Sequence, residues 1–387
     1  MVTQQELLSV VREIMNNFSY STGLSSKNTP RRYLWTDAFA VCNFLELYHR
    51  TEEETFKQFA LNLVDQVHHV LGKHREDDPR KGWISGLSER EGEKHPTKGG
   101  LRIGKELNER EIGETLDTRL EWDRDGQYYH YLTKWMRALN RISQITGDLT
   151  YNKWAIELAK IAHKTFTYES PFNGMKSMYW KMSIDLSRPL ISSMGQHDPL
   201  DGFITYNELQ AVALTDPRSL VLNAEITDMF NICKGKDWTT DDPLGIGGLL
   251  CNVYQVAQLI YNRYWKQNAL MIDLLKSSKL GLEAYLKSNP MQLPSVCRLA
   301  FREFGLSLGL HAIQKLQKMI SEKPDLFNDK HLLSLINSLQ DYVPLTQEIE
   351  EFWIDPSIRQ TNSWTEHIDI NMVMLATTLI PDGYLGF

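Results

Sequence analysis

Glu121-Trp122-Asp123-Arg124-Asp125-Gly126, followed by the apolar-periodic run Gln127–Ile145, is the stretch on which the fold turns. A polar loop carrying Trp, Asp and Gly leads straight into a helix, and the same arrangement recurs along the chain. Trp35-Thr36-Asp37 precedes Ala38–Tyr48, and His197-Asp198-Pro199-Leu200-Asp201-Gly202 precedes Phe203–Leu214. Asp241-Asp242-Pro243-Leu244-Gly245 precedes Ile246–Tyr261, and Trp364-Thr365-Glu366-His367 precedes Ile368–Leu379. Between successive members lies a second helix with a more charged face. Asp, Gly and Pro are helix-entry and turn residues, so the recurrence predicts stacked helical hairpins with one chemically loaded rim.

Helical periodicity also covers Gln5–Phe18, Glu53–Leu71, Tyr151–Thr165, Arg218–Ile232, Asn268–Leu286, Ser295–Ile320 and Lys330–Leu345. It is clearest in Phe56, Phe59, Ala60, Leu63, Val64 and Val67, which keep the i, i+3, i+4, i+7 spacing of one apolar stripe. Alternation of the strand kind is nearly absent. The segments pair as six hairpins, an all-α chain. Links within a hairpin are short: His49–Glu52, Thr146–Thr150, Thr215–Pro217 and Asn262–Gln267. Links between hairpins are longer: Ser19–Leu34, Gly72–Gly126, Phe166–Gly202 and Cys233–Gly245. In a closed ring the two kinds lie on opposite faces, and function gathers on loops held by a rigid scaffold. The Gly72–Gly126 insert, with His74, Trp83, His95, Gly99, Gly100 and Gly104, is too long for a passive connector. It is expected to fold over that face as a lid.

The net charge of −7 lacks the basic stripe that nucleic acid requires. Ten Trp and sixteen Tyr exceed the needs of a plain helical core. Cys42, Cys233, Cys251 and Cys297 are scattered without CxxC spacing and read as reduced thiols, three of them in apolar helical runs. The start, Met1-Val2-Thr3-Gln4-Gln5-Glu6, shows no basic leader, and no window approaches the roughly 20 apolar residues of a membrane span. A cytoplasmic, soluble protein with no nucleic-acid or membrane partner is expected; oligomeric state is not legible. No cofactor is expected. No metal site is expected either, because His68-His69 point different ways and no HExxH-like spacing appears. Gly245-Ile246-Gly247-Gly248 lacks the residues of a phosphate loop and is expected to serve close helix packing or backbone approach to a ligand.

The pattern resembles the (α/α)6 toroids of the six-hairpin glycosidase superfamily and, more loosely, the N-acylglucosamine 2-epimerase-like barrels. The resemblance covers nearly the whole chain and rests on helix count, loop asymmetry and aromatic-plus-carboxylate loops, not on a family-specific motif. It implies one toroid domain over residues 1–387, with 72–126 across the open face. It also implies a substrate funnel above inner helices beginning near Asp37, Asp125, Asp201, Gly245, Ser295 and His367.

The chemistry-bearing residues concentrate in two stretches. Around 121–130, Trp122, Asp123, Asp125, Tyr128 and His130 exceed what a cap requires, and Tyr128, Tyr131 and Trp135 share one helical face suited to stacking on a sugar or to core packing. Around 178–198, Trp180, Asp185, Arg188, His197 and Asp198 follow a short alternation, Tyr179/Lys181/Ser183/Asp185 against Trp180/Met182/Ile184, that predicts a strand. Arg188 is a fork for a carboxylate or phosphate, or the partner of a structural Asp. Glycoside hydrolysis uses one protonated and one ionised carboxyl, which makes Asp125, Asp198 and Asp201 the catalytic candidates. His130 and His197 are candidates for acid–base work. Trp35, Asp37, Trp122, Asp123, Tyr128, Trp180, Asp185, Arg188 and Trp364 are candidates for substrate binding. The bland reading of each Asp is an N-cap or a turn, worth about 1 kcal/mol. Three functions follow from these residues: a carbohydrate-active hydrolase or lyase acting on a small carbohydrate or glycoside; a sugar isomerase or epimerase using His130 and His197; and a binder with neither chemistry.

Overall fold

The computed structural model describes residues 4–171, 174–214, 220–265 and 268–386. They fall into two compact units, Ser19–Lys234 and Met1–Phe18 with Gly235–Phe387. Helix α1 (Gln4–Ser21) opens the chain.

In the 19–234 unit, α2 (Leu34–Thr51) is buried continuously from Leu34 to Leu47, whereas α3 (Glu54–Leu71) buries the single stripe its spacing predicts. Helices α4 (Tyr129–Thr146) and α5 (Leu149–Phe166) each bury one broad face, while α6 (Asp198–Ala213) is buried nearly throughout and α7 (Asn223–Cys233) buries Met229 and Ile232. Helices α2, α4 and α6 pack in series, each also against its own hairpin partner. The expected link Thr215–Pro217 and the expected helix start at Arg218 lie outside the described residues.

The strand expected over 179–185 reduces to two residues. β1 (Gln127–Tyr128) pairs antiparallel with a strand at Lys181–Met182, which pairs in turn with Pro189–Ile191. The chain then reverses at once: Ser183 donates its N–H to the Arg188 carbonyl at 2.9 Å, and Leu186 takes the left-handed conformation with φ of 60°. The predicted alternation of faces also fails at Lys181. It is as buried as Met182, because its ammonium bonds the Glu121 carboxylate at 2.9 Å and the Glu121 and Arg124 carbonyls at 2.8 Å each.

The long insert is not a loose lid. Arg102 donates to Asp125 at 2.6 Å and to the Val70 and Lys73 carbonyls; Arg75 holds the Lys105 and Glu106 carbonyls at 2.6 Å each. Arg80 joins Asp78, Glu109 and Asp185, and Arg110 joins Glu121 and the Leu190 carbonyl. The insert's longest exposed stretch runs from Glu111 to Leu120, interrupted only at Glu114. Limited digestion with a glutamate-specific protease should therefore cut at Glu111 first and leave 73–107 whole. A first cut within 73–107, read by intact-mass spectrometry, would show that these ion pairs do not hold the insert.

The other unit contains α8 (Pro243–Tyr261), α9 (Ala269–Leu286), α10 (Ala300–Glu322), α11 (Lys330–Gln340), α12 (Leu345–Ile354) and α13 (Ile368–Leu379). Helix α8 packs closely on α10 because Gly247 has no side chain: a Cβ there would sit 1.9 Å from the Gly305 carbonyl oxygen. This is the packing role anticipated for the glycine-rich stretch. By length and composition α8 is apolar enough to cross a membrane, which corrects the expectation that no window approaches that length. Most of it is buried within the protein, as a core helix is.

Two predicted helices are broken. The run Ser295–Ile320 is a 3-10 turn, Ser295–Cys297, then extended backbone at Arg298 and Leu299 before α10. Arg298 is held there by Glu303 at 2.6 Å and by the Phe352 ring. Cys297 is consequently exposed and not in the core, while Cys42 and Cys251 are buried. The run Lys330–Leu345 ends at Gln340, because Pro344 has no N–H to continue the ladder, and α12 starts after it.

Candidate active site

The first turns of α4 and α6 bring together the strongest group of titratable side chains in the 19–234 unit. On α6, Asp198 and Asp201 stand three residues apart and so share a face. Pro199 sets the opening φ of that helix. Gly195 leaves room for the Asp198 carboxyl, which comes within 2.5 Å of where a Cβ at that position would lie. On α4, His130 and Lys134 lie one turn apart. Lys134 binds Asp201 at 2.9 Å, and His130 Nδ1 lies 3.6 Å from Asp198 Oδ1.

That 3.6 Å separation is too long for a hydrogen bond. Among the described residues, His130 Nδ1 and Asp198 Oδ2 are buried atoms with no hydrogen-bond partner. Buried polar atoms are normally paired, with protein or with water, which makes this adjoining His–Asp pair the candidate for contact with a ligand. Burial and the neighbouring Asp201 push the Asp198 carboxyl up to about 8, against the weaker pull of Lys134. The N-terminal field of α6 would favour the anion by about 0.3–1 kcal/mol, far less than a shift of that size represents. Burial pushes His130 down to about 4, with Asp201 opposing. Near neutral pH the site thus holds a protonated carboxyl, an imidazole without charge and a carboxylate salt-bridged to lysine.

An aromatic floor adjoins these groups. The Trp180 ring lies nearly parallel to His130 at 6.5 Å and 5.4 Å from Tyr128; Trp122 meets Trp180 edge-on at 5.2 Å. Tyr128 packs on His130 and Tyr131 at 5.3 Å, and the Tyr131 hydroxyl bonds that of Tyr33 at 2.6 Å. The β1 pairing sets Tyr128 beside the strand that follows Trp180, and buried Lys181 fastens the 121–124 loop that carries Trp122. Trp122, 54% exposed, presents its ring to solvent.

Other expected site residues stand elsewhere. Asp125 is fully buried and committed: Arg102 at 2.6 Å, with the Gly104 and Gly126 N–H groups donating at 3.0 Å. Asp37 lies inside α2, whose N-cap is Tyr33, and is engaged structurally: it accepts from the Tyr33 N–H at 3.0 Å and pairs with Arg32. Trp35 is buried against Phe39, Trp135 is buried with its N–H on His68, and Trp364 is buried against Phe304 and Trp353. Asp185 organises its turn through Ser183, Ser187 and Arg80. The Arg188 guanidinium donates to the Arg110 carbonyl. Asp123 is exposed, and its carbonyl accepts from Leu107. His197 is half-buried at the N-cap of α6. Lys134 and Tyr33 were not anticipated. Lys134 was within reach of the sequence, lying one helical turn from His130.

A separate recess of about 1030 Å³ opens along α5, lined by Ser85, Lys98, Lys153, Glu157 and Lys160 among others. Lys160 pairs there with Glu225 and Glu157 with His95, while Lys98, Lys153 and Lys164 show no ion pair among the described residues, and none of the side chains of the α4–α6 cluster lines it. Among the described residues, no group of three or more His, Cys, Asp or Glu is placed to hold a metal ion.

No protein-family model and no curated protein sequence matches the chain. Solved structures do. It is similar to a GH76 α-mannanase of Bacteroides thetaiotaomicron, with 9% identity, TM-score 0.56, and 97% of this chain and 96% of that one covered. It is also similar to the GH76A α-1,6-mannanase of Salegentibacter sp. HEL1_6, with 13% identity, TM-score 0.52, and coverage of 98% and 100%. A family 76 glycoside hydrolase from a bovine Bacteroides thetaiotaomicron strain gives 9% identity and TM-score 0.53, covering 97% and 77%. At such identity the likeness establishes fold, and the fold class is the six-hairpin (α/α)6 toroid.

Proposed function

We propose that this protein is a carbohydrate-active enzyme of glycoside-hydrolase type, with Asp198 as general acid and Asp201 as the ionised carboxylate. The observation that carries the reading is the carboxyl pair on one turn of α6, with buried Asp198 3.6 Å from His130 and Asp201 bound to Lys134 at 2.9 Å. Burial pushes the Asp198 carboxyl up, toward the protonated form. Pairs of carboxyls whose environments push them apart divide acid from base work. Asp198 would give its proton to the departing glycosidic oxygen, and Asp201 would serve as base or nucleophile at the anomeric carbon. Trp180 and the exposed Trp122, backed by buried Tyr128, supply the apolar faces on which sugar C–H groups pack. The GH76 mannanases of similar fold lend the reading support by analogy alone.

His130 favours a second reading, epimerisation, because an uncharged imidazole beside a protonated carboxyl can take a proton next to a sugar carbonyl. A panel of aryl glycosides followed by absorbance, with free aldoses and disaccharides followed by proton NMR, separates the two. Release of aryl alcohol that falls at least a hundredfold in Asp201→Asn supports hydrolysis. Exchange of a sugar C–H with solvent deuterium without cleavage supports epimerisation. Neither event with any substrate leaves a binder and defeats the proposal.

A further inference from the structure

The basic side chains around the aromatic floor are nearly all engaged. Lys134 holds Asp201, Lys181 holds Glu121, Arg124 holds Glu114, Arg102 holds Asp125 and Arg75 holds Asp77. Lys105 is different. Its ammonium lies over the Tyr33 ring, 5.4 Å from the centroid, and no carboxylate among the described residues is within ion-pair distance. Glu106, Asp123 and Asp125 act on it only from farther away. Burial draws its pKa down, against the opposing pull of those three carboxylates.

This position is built. Arg75 grips the Lys105 and Glu106 carbonyls at 2.6 Å, and Asp125 accepts from the Gly104 N–H at 3.0 Å. Tyr33, under the ammonium, is continuous with the floor through its hydroxyl bond to Tyr131, whose ring lies 4.8 Å from His130. The sequence reading placed anion recognition on Arg188, but that guanidinium is turned to the Arg110 carbonyl.

We propose that the sugar bound at this site is acidic, its carboxylate or phosphate seated on Lys105 while its ring lies on the aromatic floor. The inference rests on the carbohydrate reading above but not on which reaction follows. A half-buried ammonium with no carboxylate in direct contact favours an anion over a neutral hydroxyl, and the cation–π contact with Tyr33 keeps the side chain in place meanwhile.

The test is calorimetric binding of D-glucuronate, D-glucose 6-phosphate and D-glucose to the full chain and to Lys105→Gln and Lys105→Arg. At least one anionic sugar should bind tenfold or more tightly than glucose, and which one identifies carboxylate or phosphate as the seated group. Lys105→Gln should bring that sugar to within twofold of glucose, and Lys105→Arg should keep most of the preference. The inference is overturned if glucose binds as well as both anions, if Lys105→Gln keeps the preference, or if none of the three binds at millimolar concentration. Charge-selective binding without turnover of any glycoside would instead fault the assignment of the reaction.

Discussion

Asp198→Asn should lose turnover by about a hundredfold to ten-thousandfold, the usual contribution of a general acid, while gaining stability at neutral pH. The two effects have one cause. A carboxyl held up to about 8 in the folded state, and near 4 when unfolded, binds its proton more tightly in the native protein. Below about pH 4 both states are protonated and the group favours neither. As pH rises through that window the unfolded chain releases its proton first. Stability then falls by up to about 1.4 kcal/mol per pH unit, until the folded carboxyl also ionises near 8. Asparagine cannot ionise and escapes the loss. The melting temperature of Asp198→Asn should therefore exceed the parent's at pH 7 and meet it at pH 4. A variant less stable than the parent at pH 7, or an equally active one, would return Asp198 to an ordinary structural carboxylate.

Asp125→Ala should do the reverse, costing about 3–5 kcal/mol of stability by stranding the buried Arg102 guanidinium. The same change frees the Gly104 and Gly126 N–H groups and loosens the base of the insert. Activity should fall only in proportion to the folded fraction. Chemical denaturation with turnover measured on the same samples checks this. A stable Asp125→Ala protein with no turnover would place Asp125 at the chemistry and not beneath it.

Those two aspartates show what could be read beforehand. Both precede a glycine or proline near a helix start, and nothing local distinguishes them. What separates them is Arg102, 23 positions before Asp125 and placed by an irregular insert whose path no periodicity announces. The helical frame was legible because each apolar stripe is a local property of its segment. The meeting of Trp122 with Trp180 was legible too, since both lie on long inter-hairpin links and the rings come within 5.2 Å. The same argument applied to Trp35 and Trp364 met buried rings, because a Trp at a helix entry can turn inward as readily as outward. Lys181 was hidden for a related reason: its burial depends on Glu121 and on carbonyls about 60 positions away. The orphaned His130 and Asp198 atoms were beyond sequence altogether, since a missing hydrogen bond is a fact about three dimensions.

The most direct test is a crystal structure of Asp198→Asn soaked with a glycoside that the parent cleaves. The sugar should lie on Trp180 and Trp122, its glycosidic oxygen about 3 Å from the side chain of residue 198, with Asp201 facing the anomeric carbon. A sugar bound in the recess along α5, or on the floor with its glycosidic oxygen turned away from residue 198, would contradict the account.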